Sequence, residues 1–127
     1  MRQGEWPQTL REARLVATPE AIRLYAEITN DFNPVHLDAE FAARTPFGRP
    51  IAHGTMSLAL VWQALAATFG GRARPEEAEI RFSAPVRQGD ALTAGGALVD
   101  AASGRYEIAV RTADGAALAG WVRIAAA

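Results

Sequence analysis

From Met56 to Phe69 the chain reads Met-Ser-Leu-Ala-Leu-Val-Trp-Gln-Ala-Leu-Ala-Ala-Thr-Phe, and its only polar side chains, Ser57, Gln63 and Thr68, carry no charge. A helix apolar all round must be covered on all sides, so this stretch predicts a buried helix over residues 56–69. It is shorter than the roughly 20 residues a bilayer span needs. Gly70-Gly71 ends it as C-cap residues do. Gly54, Thr55 and Ser57 crowd its start, where free N–H groups and the helix dipole favour an anionic or polarised oxygen.

Around that helix the pattern changes period. Residues 10–17 alternate apolar and charged positions and predict a strand. Thr18-Pro19-Glu20 combines a hydroxyl cap, a proline and an acid, and starts a helix running to about Thr29. On it Ile22, Tyr25, Ala26 and Thr29 share one side, with Leu24 and Ile28 widening the stripe. Pro34 forces Asn33 out of the helical region, so residues 30–38 predict a loop. Asp38 caps a short helix over residues 39–44, and a second loop follows. Residues 72–77 form a polar connection. Residues 78–86 alternate, with Ile80, Phe82, Ala84 and Val86 on one face. Strands follow over residues 91–99, where Gly95-Gly96 suggests a bulge, around Tyr106, Ile108 and Val110, and over residues 118–124. Ala113-Asp114-Gly115 marks a hairpin between the last two. The first eight residues read as a polar lead.

One apolar helix followed by a meander predicts an α+β fold: an antiparallel sheet curled around a central buried helix, as one domain over residues 1–127. The open sheet edges argue for a dimer with a continuous sheet.

Composition narrows the partners. The net charge of -1 gives no basic surface for nucleic acid or a membrane. With no cysteine, thiol nucleophiles and zinc–thiolate sites are excluded. No targeting segment is visible, which makes the cytoplasm the expected compartment.

The candidate chemistry lies in the two loops. Asp31 and His36 flank a proline turn that can aim both side chains at one spot, and a carboxylate with an imidazole around one water makes an acid–base pair. A backbone N–H at Gly54 or Thr55 could polarise a carbonyl oxygen as charge develops on it. His53 packs in the second loop or bonds its backbone, and Asn33 forms the turn or orients a water. Thr55 and Ser57 serve as caps, Asp38 as a cap alone, and Tyr25 belongs to the core. Arg72, Arg74, Arg81 and Arg87 form a solvated face.

Asp31-Phe-Asn-Pro-Val-His36-Leu-Asp38, followed by Phe47-Gly-Arg-Pro-Ile51-Ala-His-Gly54 and a serine-bearing apolar helix, resembles the MaoC-like hot-dog family, and within it the (R)-specific enoyl-CoA hydratases. The resemblance implies a single hot-dog domain with Asp31 and His36 as catalytic residues, Asn33 as the turn asparagine, and Gly54 as the glycine that receives the thioester carbonyl. His53, Thr55, Ser57 and Trp62 then surround the substrate. The implied reaction is syn addition of water to a trans-2-enoyl thioester, carried by coenzyme A or acyl carrier protein, with neither metal nor redox cofactor. The implied assembly is a homodimer or a dimer of dimers, with the acyl chain along the central helix, where the Trp62 indole would favour short chains. Asn30 stands where many members have glycine. A hot-dog thioesterase and a non-catalytic acyl-thioester-binding subunit are the alternatives.

Overall fold

The computed structural model describes residues 5–71 and 73–126. Thr18 caps the first long helix through a bond from Ala21 N–H to its Oγ1 (3.0 Å), and Pro19 opens the helix, α1 (Pro19–Thr29). Before it runs β1 (Ala13–Val16), shorter than the strand expected over residues 10–17; upstream of it the chain meets β3 at the isolated bridge Thr9–Ala97 and through Leu10 N–H to the Gly96 carbonyl (3.0 Å). Then come α2 (Pro34–Leu37), α3 (Ala39–Ala43), α4 (Gly54–Phe69), β2 (Ala73–Phe82), β3 (Ala91–Asp100), β4 (Arg105–Thr112) and β5 (Gly115–Ala126). The five strands form one antiparallel sheet in the order β1-β3-β4-β5-β2.

The sheet curls over α4. Leu92, Ala94, Tyr106, Ile108, Val110, Val122 and Ile124 point inward and pack on Met56, Leu60, Val61, Ala64, Leu65 and Phe69 of the helix, all buried. Burying each large aliphatic side chain contributes about 1.5–3 kcal/mol, so this layer dominates stability.

Several expectations need correction. The helix is not covered on all sides: Thr55, Gln63, Ala66 and Ala67 are exposed and Trp62 is 37% exposed, because five strands of one chain wrap only part of its circumference. The opening segment is not merely a polar lead. Its first four residues lie outside the described residues, but Trp6 is buried edge-on against Phe69 and Tyr106, whose ring centroids lie 6.2 and 6.3 Å away. Leu24 and Ile28 do not widen the buried stripe of α1; they are 57% and 71% exposed, and only Ile22 and Ala26 are fully covered.

The expected connection over residues 72–77 is strand from Ala73 on, while Arg72 lies outside the described residues. As the sheet's edge, β2 tolerates charges and accommodates Pro75 at a register shift. It ends at Phe82, which is 56% exposed instead of buried. Gly95 and Gly96 form no bulge; they pair in register with Ala109 and Ile108, and the irregularity falls between Leu98 and Asp100. Gly96 is small because Leu10 crosses there: a Cβ would sit 3.1 Å from Leu10 Cδ1 and 2.6 Å from the Glu107 carbonyl oxygen.

Candidate active site

The end of α1 delivers the first group. Its last turn closes at Asn30 (φ 55, ψ 38), a left-handed position that glycine or asparagine fills at low cost, which explains why asparagine serves here. Asp31 N–H then donates to the Ala26 carbonyl (3.0 Å). Asn33 N–H donates to Asp31 Oδ1 (3.3 Å), and Asn33 Oδ1 accepts from Val35 N–H (3.0 Å), capping α2. The loop expected over residues 30–38 therefore contains one helical turn. The proline that bars helix before it is well placed to start one after it.

That turn carries His36. Its Nδ1–H donates to the Ile51 carbonyl (2.8 Å), which leaves the Nε2 lone pair facing Asp31 Oδ2 at 3.8 Å. This is too long for a direct hydrogen bond and suits two groups that share one water. The imidazole is mostly covered, with 11% of the side chain exposed, whereas the Asp31 carboxylate is about half exposed at 49%. One partner is fixed and the other faces the approach.

The second loop brings His53, buried at 4% exposure. Its ring stacks on His36 with centroids 3.8 Å apart, and Tyr25 lies against it at 5.2 Å. Its Nε2–H donates to the Asp31 carbonyl (2.9 Å), while its Nδ1 is buried with no hydrogen-bond partner among the described residues. His53 is also the N-cap residue of α4, yet its side chain makes no capping bond. Gly54 opens the helix, exposed, with its amide among those that have no intrahelical acceptor. Thr55 beside it is exposed and its Oγ1 accepts from Tyr25 O–H (2.8 Å), while Ser57 is buried one turn on. Trp62 lies on the same open side of α4 as Thr55, about two turns further along.

The MaoC like domain matches residues 4–119. This chain belongs to that family. Among curated relatives of the MaoC-like chain, the 3-hydroxybutyryl-CoA dehydratase of Methylorubrum extorquens is 46% identical over 67 residues, covering 52% of this chain and 43% of that protein. The (R)-specific enoyl-CoA hydratase of Aeromonas caviae is 38% identical over 74 residues, 58% of this chain and 55% of that one. The chain thus spans about half the length of these relatives. An R-hydratase from Pseudomonas aeruginosa in its unliganded form superposes with a TM-score of 0.83 at 32% identity, over 96% of this chain and 81% of that one. The architecture is the α+β hot-dog fold that the sequence resemblance implied.

Within the MaoC-like site, Asp31, His36 and His53 bring donor atoms within 4.8 Å of one another. That set is poorly shaped for a metal ion. Although His36 Nε2 and His53 Nε2 lie 3.8 and 3.9 Å from Asp31 Oδ2, His53 Nε2 already serves the Asp31 carbonyl and has no lone pair to offer while it does so. A groove of about 820 Å³, lined by Glu12, Arg81, Arg111 and Trp121 among others, lies on the sheet face away from these residues. The Asp31 side chain is 49% exposed, and Gly54 and Thr55 at the start of α4 are exposed as well.

The structure brings together Asp31, His36, Asn33, His53, Gly54 and Thr55 as the sequence grouped them. Tyr25 is the residue that sequence reasoning set aside as core. It is half-buried and its hydroxyl reaches Thr55. The available signal was its polar tip, since a tyrosine hydroxyl near a core needs a partner.

Proposed function

We propose that this MaoC-like chain is a hydro-lyase that reversibly adds water to a trans-2-enoyl thioester, giving the (R)-3-hydroxyacyl thioester. The observation that carries the reading is the 3.8 Å gap between Asp31 Oδ2 and Nε2 of His36, whose Nδ1–H is engaged elsewhere, beside an α4 N-terminus whose N-cap residue makes no side-chain capping bond. Two acceptors facing one water use both of its protons, which turns an oxygen lone pair outward toward the substrate β-carbon. As that oxygen bonds to the β-carbon, the alkene electrons move into the thioester carbonyl, and the developing oxyanion is met by the Gly54 N–H. Asp31 takes one water proton and returns it to the α-carbon while His36 holds the oxygen in line. Both additions come from one face, so the addition is syn and the site ends as it began.

A second copy of the chain covers the open side of α4 in this reading, because an apolar helix face with a half-exposed tryptophan is otherwise wet. The acyl chain runs along that side past Trp62. The carrier is coenzyme A or acyl carrier protein. Among the described residues no helix is long and apolar enough to cross a membrane.

The test is hydration of crotonyl-CoA, followed by loss of enoyl-thioester absorbance and chiral analysis of the product. Asp31→Asn and His36→Ala each lower kcat by about 10²–10⁴-fold, the usual range for a positioned acid or base, while the protein stays folded. Near-normal turnover in either variant refutes the assignment, and release of free thiol would indicate a thioesterase instead.

A further inference from the structure

Several features converge on His53, and the proposed chemistry uses none of them directly. Its ring lies on His36, its main chain begins α4, and its Nε2–H holds the carbonyl of a residue 22 positions earlier. We propose that His53 is the positioning residue of the site, its Nε2–H tying the Asp31 main chain in place and so fixing the gap to His36 that one water fills. This rests on the Asp31–His36 reading above.

Asp31 is otherwise held by its own neighbourhood: its N–H bonds Ala26 and its Oδ1 accepts from Asn33. Those bonds shape the turn but do not place it against the next segment. The His53 bond does, at the Asp31 end, while Ile51 N–H to the Val35 carbonyl (3.1 Å) and His36 Nδ1–H to the Ile51 carbonyl (2.8 Å) tie the far end of the turn; Gly54 follows His53, so this bond is the contact nearest both the carboxylate and the amide meant for the thioester oxygen.

The imidazole is a costly choice for packing alone. Its Nδ1 is buried and has no hydrogen-bond partner among the described residues, and a buried polar atom without a partner disfavours the fold, whereas an apolar group of the same shape would not. The ring is turned to serve Asp31 while the helix it precedes goes uncapped by a side chain. Stacking on His36 and contact with Tyr25 then clamp the ring plane, so the N–H direction is set from both neighbours.

Two substitutions separate the ring from the donor. Phenylalanine keeps the stacking and removes the N–H. Glutamine can place an amide N–H near the position of Nε2 and removes the ring. His53→Phe should fold with an undiminished urea midpoint and lose about 10–100-fold in kcat with KM within about twofold, since a small misplacement of a reacting group carries that scale of penalty. His53→Gln should recover kcat to within about tenfold of wild type. A Phe variant with wild-type kcat overturns the proposal, as does a Gln variant no better than the Phe variant. Should the Phe variant unfold at assay temperature, His53→Leu is read in its place by the same criteria. Asp31→Asn is run alongside. Normal activity there sinks the underlying site reading, whereas an inactive Asp31→Asn with an active His53→Phe sinks only the role given to His53.

Discussion

Replacing Gly54 with proline isolates one hydrogen-bond donor. Gly54 is the first residue of α4, where the amide has no intrahelical acceptor and proline is well accommodated. The residue before a proline must be extended, and His53 already is, at φ -62 and ψ 136. A Cβ at position 54 would lie 3.4 Å from the nearest atom of the Phe82 ring, a close but ordinary contact with an exposed side chain that can yield. The helix should therefore form as before, minus one N–H. If that N–H meets the developing oxyanion, its loss costs about 10²–10³-fold in kcat, or about 2.7–4 kcal/mol of transition-state stabilisation. Gly54→Ala is the control, because it adds the Cβ and keeps the donor. The assay is crotonyl-CoA hydration with kcat and KM resolved, beside urea unfolding of both variants. A proline variant that turns over like the alanine variant removes the amide from the mechanism. A proline variant with a collapsed unfolding midpoint contradicts the argument that the site tolerates the ring.

Trp62→Ala should raise the rate on long-chain enoyl thioesters relative to crotonyl-CoA, and an unchanged chain-length profile across a substrate panel dismisses the indole as a limit. Trp6→Ala should destabilise the fold by about 3–5 kcal/mol, seen as a lower urea midpoint, because it empties the space between Phe69 and Tyr106. Tyr106 is fully buried, donates to the Pro7 carbonyl (2.5 Å), and has its pKa pushed by burial from 10.0 to about 12. The unfolded chain therefore loses this proton first, so stability is unaffected below pH 10.0 and falls as pH rises towards about 12, by roughly 1.4 kcal/mol per pH unit. Tyr106→Phe should show a shallower decline over that interval, and identical slopes refute the assignment.

What the sequence made legible was mostly local. Thr18-Pro19, Asp38 and the Asp114-Gly115 turn state their conformations through nearest neighbours, and the structure has each in place. Trp6 was not legible, because its burial depends on Phe69 and Tyr106, far along the chain. Strand β2 was misjudged at both ends: residues 74–77 are exposed on both faces and lose the alternation that marks a half-buried strand, whereas the alternation of residues 78–86 continues past Phe82, where pairing with β5 stops. The apolar run of α4 announced the helix, but the chain buries only one side of it. Periodicity reports which side chains shun solvent but not whether the same chain covers them. At the site, the Asp31–His36 spacing pointed to convergence. His53 could be grouped with them but not given a task, because that follows from the way one ring turns toward a main-chain oxygen.

The bond from His36 Nδ1 to the Ile51 carbonyl has an evolutionary consequence. The nitrogen that bears the proton is chosen by a peptide group, and every amino acid at position 51 supplies the same peptide oxygen. On the proposed reading, side chains along that loop and on α4 can therefore drift with the substrate without rewiring the proton order of the dyad. Reactivity and substrate preference are written in separate alphabets, one in the main chain and one in the side chains, so this scaffold can change its diet while keeping its chemistry.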